Sequence, residues 1–242
     1  MQMQEPSGPR SALPGRSTFD REIVQLKRRL VQEATLAIGM LQQAIEALWK
    51  LDRAAAAELK LRDNTIDDEE VAIEQRCFEL LALQQPVARD FRIIAFILRA
   101  NADVERVADH ACSIAKVARG IEGTEPPKWP TALTEIAERV PYMCQRLLRA
   151  VLEEDPAAAR QIIEEDKIID ALDKQLFRET VEFMRREPGN EANGLHIGRL
   201  GREFERVGDL MANMAEDVVY LATGAIVRHE KKSRAASGGS PP

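Results

Sequence analysis

Apolar residues recur every three or four positions along most of the chain. Near its start they fall at Phe19, Ile23, Leu26, Leu30, Leu41, Ile45 and Leu48. This spacing places apolar side chains on one face of an α-helix. Helix breakers are rare, because residues 16–119 include one glycine, Gly39, and one proline, Pro86. Strands would need turns between them, so this stretch is predicted to fold as long helices.

The breaks in the pattern predict six helices. Their expected ranges are 18–51, 53–85, 86–120, 133–152, 156–187 and 191–223. Gly224 follows the last range, and a glycine in that position is typical of a left-handed C-cap.

Capping residues support several of these boundaries. Asp52 and Asp155 are expected N-caps, because a carboxylate accepts hydrogen bonds from the free N–H groups of a first helical turn. Pro86 is expected in the first turn of the third helix, and Gly120 is expected to end that helix in a left-handed conformation. Pro141 predicts either a kink in the fourth helix or a later start.

The two halves of the chain are related in sequence. At an offset of 103 residues, LDRAAAAELKLRDNTID aligns with EDPAAARQIIEEDKIID. At an offset of 100, RANADVERVADHACSIA aligns with RLGREFERVGDLMANMA. Self-similarity on this scale indicates a duplicated unit. The fold class is therefore predicted to be all-α, with two tandem, sequence-related three-helix bundles.

The same breaks predict how the chain is divided. The first bundle is expected over residues 18–121 and the second over 132–224, joined by a Pro/Gly-rich linker over 122–131. Residues 1–17 and the basic, Gly/Ser/Pro-rich segment 225–242 are predicted to be disordered.

Pairs of acidic residues four positions apart occupy equivalent places in both halves. On a helix this spacing puts both carboxylates on one face. The pairs interrupt the apolar seam, where removing charges from water costs several kcal/mol unless something positive compensates. The candidate metal ligands are Asp63 and Asp67, Glu105 and Asp109, Asp166 and Asp170, and Glu205 and Asp209.

Two kinds of partner would neutralise these carboxylates. One is a hard cation held by carboxylates from two helices of each bundle, and Mg²⁺, Mn²⁺, Ca²⁺ and iron suit such oxygen sites. The other is arginine. Arg106 and Arg206 lie within the acidic segments, and Arg99 and Arg199 precede them by seven residues. The sequence leaves both hypotheses open.

Composition argues against several classes of protein. The 34 Lys and Arg residues against 40 Asp and Glu give a net charge of −6, so no basic excess is present for non-specific nucleic-acid binding. The longest apolar run, residues 93–98, is too short to span a membrane. Three separate cysteines, Cys77, Cys112 and Cys144, indicate buried small residues rather than a disulfide framework or a zinc ribbon. The expected location is the cytoplasm.

Enzyme motifs are absent from the sequence. It contains no G-x-x-x-x-G-K nucleotide loop, no Gly-x-Ser-x-Gly elbow and no Glu-x-x-His pair of the di-iron bundles. The chain is therefore predicted not to be an enzyme. Two alternatives stay open: a metal-dependent phosphohydrolase that uses the same carboxylates, and a metal-free helical interaction module.

The segments around these acids resemble the PhoU family of phosphate-signalling regulators. The similarity is carried by DVERVADHACSIA (103–115), EFERVGDLMANMA (203–215) and QQPVARDFR (84–92), and it covers roughly residues 18–224. It implies two three-helix bundles whose E(D)-x-x-x-D motifs bind multinuclear metal clusters, of iron or zinc in some members. Those motifs are the four pairs named above.

The resemblance also implies a function. Family members exert negative control over the phosphate-starvation response, and they are thought to link a phosphate ABC transporter, through its ATPase subunit, to a sensor histidine kinase. A non-enzymatic adaptor that forms a homodimer is expected. The second half departs from the family pattern, with Leu210 in place of His110 and REPGNEAN in place of QQPVARD. Equal metal occupancy of the two bundles is therefore an open question.

Overall fold

The computed structural model describes residues 14–227, with side chains from residue 18 onward. Over these residues the chain forms six helices and no strand. They are α1 (Pro14–Lys50), α2 (Arg53–Gln84), α3 (Ala88–Gly120), α4 (Thr131–Glu153), α5 (Pro156–Arg186) and α6 (Glu191–Thr223). The predicted all-α fold is confirmed.

Most predicted helix ends agree with the structure. The Asp52 side chain accepts hydrogen bonds from the backbone N–H groups of Ala54 and Ala55, and Asp155 caps α5 in the same way. Gly224 adopts the left-handed conformation expected of a C-cap. Helix α1 begins earlier than predicted, so residues 14–17 of the predicted N-terminal tail are helical. The rest of that tail, and residues 228–242 of the predicted C-terminal tail, lie outside the described residues.

Two local expectations at helix ends are wrong, and one of the two alternatives for Pro141 is excluded. Gln85 takes a left-handed conformation and its N–H donates to the Leu81 carbonyl, so α2 ends there and Pro86 precedes α3 instead of opening it. Gly120 is helical and is not a left-handed C-cap. Its missing side chain makes room for the His196 ring of α6, whose Cε1 would lie 2.8 Å from an added Cβ. Pro141 lies well inside α4, which excludes a later start for that helix.

The helices form two bundles that share one central contact. Helices α1, α2 and α3 pack together, as do α4, α5 and α6, while α3 packs against α6 and α1 touches α4. Helices α3 and α6 run antiparallel: Arg99 contacts Asp217 near the start of α3, and Gly120 meets His196 at its end. Between the bundles, apolar side chains of α1, α3, α4 and α6 line a narrow cavity.

Glycines allow α5 to approach α6 closely. An added Cβ at Gly201 would lie 2.6 Å from Cδ2 of the buried Leu176, and one at Gly208 would lie 3.2 Å from Asp166 Oδ1. The two glycines are two helical turns apart, so both face α5. The close approach of the two helices places their carboxylates near one another.

Cysteine serves as packing in this fold. Cys77 and Cys144 are buried and Cys112 is half-buried. Burial raises the pKa of the Cys77 thiol to about 11 and those of Cys112 and Cys144 to about 12. These thiols are therefore protonated and unreactive at neutral pH.

Glu33 is a buried acid in the core of the first bundle. Its side chain on α1 is only 1% exposed, and neither carboxylate oxygen has a hydrogen-bond partner. Burial, followed by the charges of Glu69, Glu70 and Glu105, raises its pKa to about 8, and the charge of Arg29 opposes this shift. A buried carboxyl group without partners destabilises the folded chain whenever it is ionised.

Replacing Gly201 by alanine tests the close approach of α5 and α6. The new methyl group would overlap the Leu176 side chain, so Gly201→Ala is expected to lower the free energy of unfolding by about 2 kcal/mol. Gly198→Ala, one turn earlier on the open face of α6, is the matched control and is expected to raise it by about 0.5–1 kcal/mol. Urea unfolding measures both values. Equal stabilisation by the two substitutions would contradict the close approach.

The pH dependence of stability tests the raised pKa of Glu33. Between the ordinary value of 4.5 and about 8, the folded protein keeps a proton that the unfolded chain loses. The free energy of unfolding therefore falls as pH rises through this window. With chelator present, Glu33→Gln is expected to match the wild type near pH 4.5 and to exceed it by about 2 kcal/mol near pH 8.5. Urea curves at both pH values check this, and a constant difference between the two proteins would refute it.

Candidate functional site

The predicted carboxylates lie on facing helices of each bundle. Asp63 and Asp67 are on α2 opposite Glu105 and Asp109 on α3, and the second bundle repeats this arrangement with α5 and α6. Each helix contributes two acids one turn apart, because residues four positions apart share a helix face. The structure therefore brings together eight acids in two clusters, one in each bundle. The first cluster consists of Asp63, Asp67, Glu105 and Asp109, and the second cluster consists of Asp166, Asp170, Glu205 and Asp209.

The second cluster has the more convergent geometry. Asp166, Asp170 and Asp209 each place one carboxylate oxygen within 4.8 Å of the others. Asp166 is half-buried and the other two are exposed. Three carboxylates this close, drawn from two helices, have the donor chemistry of a site for a hard cation.

Burial and mutual repulsion raise the pKa values of three acids in the second cluster. Burial raises the pKa of Asp166 to about 7, and the charges of Asp209, Asp170 and Glu205 add to this effect. Burial and the charge of Asp209 raise the pKa of Glu205, and burial and the charge of Asp170 raise that of Asp209. The raised pKa values of these carboxyl groups indicate that the site has too little positive charge to balance its acids.

Arginine supplies part of that charge. Arg202 Nη1 lies 3.0 Å from Glu205 Oε1 in an ion pair. The other oxygen of the same carboxylate, Oε2, is buried and has no hydrogen-bond partner. An unpartnered acceptor beside three further carboxylates fits a site that takes a cation.

The first cluster is arranged differently. Asp63 is buried, and its Oδ2 lies 2.6 Å from Nζ of Lys60. Burial, then the charges of Asp109 and of other nearby acids, raises the pKa of Glu105 to about 7. Burial and the charge of Asp63 raise the pKa of Asp67. Within residues 18–227, no three acids of this cluster converge as those of the second cluster do.

The repeat explains this difference. At an offset of 100, Gly201 and Gly208 correspond to Asn101 and Ala108, so side chains occupy the positions that are open in the second bundle. Asn101 is buried and donates from Nδ2 to the backbone oxygen of Glu70 at 2.9 Å. The more convergent geometry therefore belongs to the half in which glycine occupies positions 201 and 208.

Three of the four arginines expected to neutralise the clusters pair with other acids. Arg106 contacts Asp103 at 3.3 Å, Arg99 contacts Asp217 at 2.7 Å, and Arg199 contacts Glu203 at 3.5 Å. Among the described residues, Lys60 and Arg202 form ion pairs with acids of the clusters. Three of the four named arginines, Arg99, Arg106 and Arg199, therefore form ion pairs with acids outside the two clusters.

Sequence reasoning missed one further acid in each cluster. The charges of Asp67 and Glu74 raise the pKa of Glu70 after burial, and the charge of Asp173 contributes to the raised pKa of Glu205. Glu70 and Asp173 align at the offset of 103, seven residues after the first acid of each cluster. The alignment of two acids at equivalent positions of the repeat is the sequence feature that indicates their place in the clusters.

His110 belongs to the contact between the bundles. Its Nδ1 lies 2.8 Å from Glu203 Oε2, and Glu203 is buried on α6. Because a carboxylate only accepts hydrogen bonds, the ring nitrogen is the donor. Burial tends to raise the pKa of Glu203, but the contacts with His110 and Arg199 lower it overall. The histidine that has no counterpart at Leu210 thus joins the two halves.

Comparison with known proteins gives one consistent family. The model of the PhoU domain matches residues 30–118 and again residues 133–218. The chain is 33% identical to a phosphate-specific transport system accessory protein PhoU homolog of Rhizobium meliloti, over 89% of this chain and 91% of that protein. It is 34% identical to the homolog of Deinococcus radiodurans, over 77% of this chain and 87% of that protein.

Solved structures show the same fold. A phosphate transport system regulatory protein PhoU from Streptococcus pneumoniae superimposes with a TM-score of 0.80 at 28% identity, covering 86% of this chain and 99% of that one. PhoU from Pseudomonas aeruginosa gives a TM-score of 0.80 at 30% identity, covering 86% and 100% of the two chains.

Two further observations are consistent with membership of this family. Within the described part of the chain, no helix is long and apolar enough to cross a bilayer. The family model matches each half separately, as expected for a duplicated unit. With both halves matched, and with relatives one-third identical along most of its length, this chain belongs to the PhoU family.

Proposed function

We propose that this protein is a non-enzymatic regulator of phosphate uptake and of phosphate-starvation signalling. In this proposal it acts in the cytoplasm as a metal-binding adaptor between a phosphate ABC transporter and a sensor histidine kinase, and it represses the starvation response. Membership of the PhoU family supports the link to phosphate transport, because its relatives are named as accessory and regulatory proteins of that system.

The convergence of Asp166, Asp170 and Asp209 is the observation that carries the metal-binding part. In this proposal Asp166 and Asp170 hold a cation from α5, and Asp209 and Glu205 hold it from α6. A bound ion would supply the positive charge that these acids lack. Asp63, Asp67, Glu105 and Asp109 are proposed to act in the same way between α2 and α3 after Asp63 releases Lys60.

The carboxylates couple metal binding to the packing of the helices. Without a cation, like charges on α5 and α6 oppose the contact that Gly201 and Gly208 make possible. A cation that binds the folded protein and not the unfolded chain stabilises the fold in proportion to its occupancy. The proposed role of the metal is thus to hold two helices of each bundle in a fixed relation, so that their outer faces form a defined surface.

Exposed apolar side chains support a role in protein contacts. Leu83, Val87 and Phe91 lie in and beside the connection between α2 and α3, and at least half of each side chain is accessible. Apolar side chains grouped on a surface are typical of sites that bind other proteins. In the proposal this end of the first bundle contacts a partner protein.

Metal content of the purified, untagged protein tests the carboxylate clusters. The wild type is expected to retain metal, measured by inductively coupled plasma mass spectrometry for iron, zinc, manganese, magnesium and calcium. Asp170→Asn/Asp209→Asn is expected to lose the metal of the second bundle. Glu182→Gln, an exposed acid elsewhere on α5, is the matched control and is expected to retain it.

Stability measurements give the same test a second readout. At a free metal concentration 100 times the dissociation constant, a site stabilises the wild type by about 2.7 kcal/mol, and chelator removes this gain. The double variant is expected to respond less to metal and to be at least as stable as the wild type in chelator, because repulsion is relieved. A folded, metal-free wild type that is indifferent to metal would contradict the metal-binding part. Metal-dependent hydrolysis of phosphate esters would favour the phosphohydrolase instead.

A bacterial strain that lacks its own PhoU-family protein tests the regulatory part. Expression of the wild-type chain is expected to repress phosphate-starvation genes in phosphate-rich medium. The Asp170→Asn/Asp209→Asn variant is expected to repress them less, and Glu182→Gln is expected to act like the wild type. If the wild-type chain binds metal but does not repress these genes, the regulatory part of the proposal is wrong and the metal-binding part is unaffected.

A further inference from the structure

Lys60 holds the most buried acid of the first cluster. Its Nζ lies 2.6 Å from Oδ2 of Asp63, one turn further along α2. Asp63 is only 2% exposed, whereas 72% of the Lys60 side chain is accessible. The hydrogen bond to Asp63 and the charge of that acid raise the pKa of Lys60, so the ammonium group is charged at neutral pH. A cation of the chain itself therefore reaches this buried carboxylate from solvent.

Two hydrogen bonds fix the register of α2 against α3. Cys112 Sγ donates to the backbone oxygen of Leu59 at 3.9 Å, and Asn101 Nδ2 donates to the backbone oxygen of Glu70 at 2.9 Å. Equal lengths of the two antiparallel helices lie between these contacts. The two cluster acids of α2 therefore come opposite the two cluster acids of α3.

The second bundle has the same register without a lysine. An added Cβ at Gly208 of α6 would lie 3.2 Å from Oδ1 of Asp166, so this acid comes opposite the corresponding part of α6. At the offset of 103, Asp166 corresponds to Asp63 and Ile163 corresponds to Lys60. Ile163 has no charge to offer, and the neighbours whose charges act on Asp166 are acids.

The second cluster has a cation of its own at a different acid. Arg202 of α6 forms its ion pair with Glu205, which is not one of the three acids whose oxygens converge. The charge of Arg202 also acts on Asp209, but it does not cancel the raised pKa of that acid. The most buried acid of the first cluster thus has an ammonium partner, whereas the equivalent acid of the second cluster faces further carboxylates.

A lysine and a metal ion compete for the same carboxylate oxygen. An oxygen that accepts a short hydrogen bond from an ammonium group binds a metal ion only after that bond is broken. A lysine has a flexible stem and a strongly hydrated head, so Lys60 can move into water when a divalent ion contacts several carboxylates in its place. The first cluster must therefore lose an ion pair before Asp63 binds metal, and the second cluster loses no such pair at Asp166.

We propose that Lys60 is a built-in competitor of metal in the first cluster, where it weakens the binding of a divalent cation to Asp63 and its neighbouring acids. This role rests on the proposed function, because it requires that the carboxylates of the first cluster can bind metal. Its consequence is an order of filling, in which the second bundle takes up metal at lower concentrations than the first. Before metal binds, Lys60 balances part of the charge of the first cluster.

Binding of Mn²⁺ to the full chain tests this role. Asp170→Asn/Asp209→Asn removes convergent oxygens of the second cluster and serves as the background. Protein stripped with chelator is dialysed against a series of Mn²⁺ concentrations, and bound metal is measured by inductively coupled plasma mass spectrometry. Adding Lys60→Gln is expected to lower the dissociation constant about tenfold, because no hydrogen bond between charged groups has to be broken. Lys50→Gln, at an exposed lysine that pairs with Glu46 of α1, is the matched control and is expected to leave it unchanged.

The reciprocal substitution tests the same competition in the second bundle. In the background Asp67→Asn/Asp109→Asn, Ile163→Lys places a lysine one turn before Asp166 and is expected to weaken Mn²⁺ binding about tenfold. Ile163→Gln controls for the loss of an apolar side chain that packs against the core, and it is expected to bind like the background. Circular dichroism checks that each variant keeps its helices. Equal weakening by Ile163→Lys and Ile163→Gln would contradict competition by charge.

Chemical labelling of lysines gives a readout of displacement itself. Acetylation by an N-hydroxysuccinimide ester is followed at each lysine by peptide mass spectrometry, in the Asp170→Asn/Asp209→Asn background with and without Mn²⁺. The rate at Lys60 is expected to rise as metal binds, because its amine is no longer hydrogen-bonded to Asp63. The rate at Lys50 is expected to stay the same. A constant rate at Lys60 while Mn²⁺ binds to the first cluster would overturn the displacement.

The outcomes separate the role of Lys60 from the proposed function. If Lys60→Gln leaves the dissociation constant unchanged, or if it reveals no binding at all, Lys60 is only an ion-pair partner and its role as a competitor is overturned. Metal bound by the wild type and lost in Asp170→Asn/Asp209→Asn would then still support the proposed function. If Lys60→Gln reveals a site in the first cluster while the second cluster binds nothing, the competition is supported and the proposed site at the second cluster is wrong.

Discussion

Repulsion between carboxylates on facing antiparallel helices is the constraint on which this structure depends. The acids lie on helices that also build the apolar core, so the contacts of α2 with α3 and of α5 with α6 bring like charges together. Burial and mutual repulsion raise the pKa of Asp166 and of Glu105 to about 7. The apolar seams therefore hold together helix faces whose like charges repel, and a cation bound between those faces would reduce the repulsion.

Much of the fold could be predicted because its signals are local. Helical periodicity, the N-caps at Asp52 and Asp155 and the repeat between the halves led to six helices in two bundles, and the structure agrees. The position of the acids on α2, α3, α5 and α6 followed from the same arithmetic. A spacing of four residues specifies a shared face on one helix, whatever that helix packs against.

What the sequence left open depends on contacts between distant segments. Gly120 looked like a C-cap, but the His196 ring from the other bundle accounts for it. Arg99 lies on the same helix as the first cluster, yet it pairs with Asp217 of α6. No periodicity carries such information, because a side chain selects its partner in three dimensions. The Glu33 carboxylate escaped notice for the same reason, since an acid on a helix is usually exposed.

The contact between His110 and Glu203 distinguishes the two halves in their history as well as in their geometry. Positions away from the contact of α3 with α6 pack within one bundle, so after a duplication they are free to change without regard to the other half. In the alignment of the two halves, Glu33 corresponds to Ile136 and Ala108 corresponds to Gly208, and these are differences that arose in one half without a matching change in the other. At the meeting of α3 and α6, a buried acid from one half depends on a histidine from the other. A substitution at either residue would leave the other without this hydrogen bond, so at this contact a change in one half affects the other.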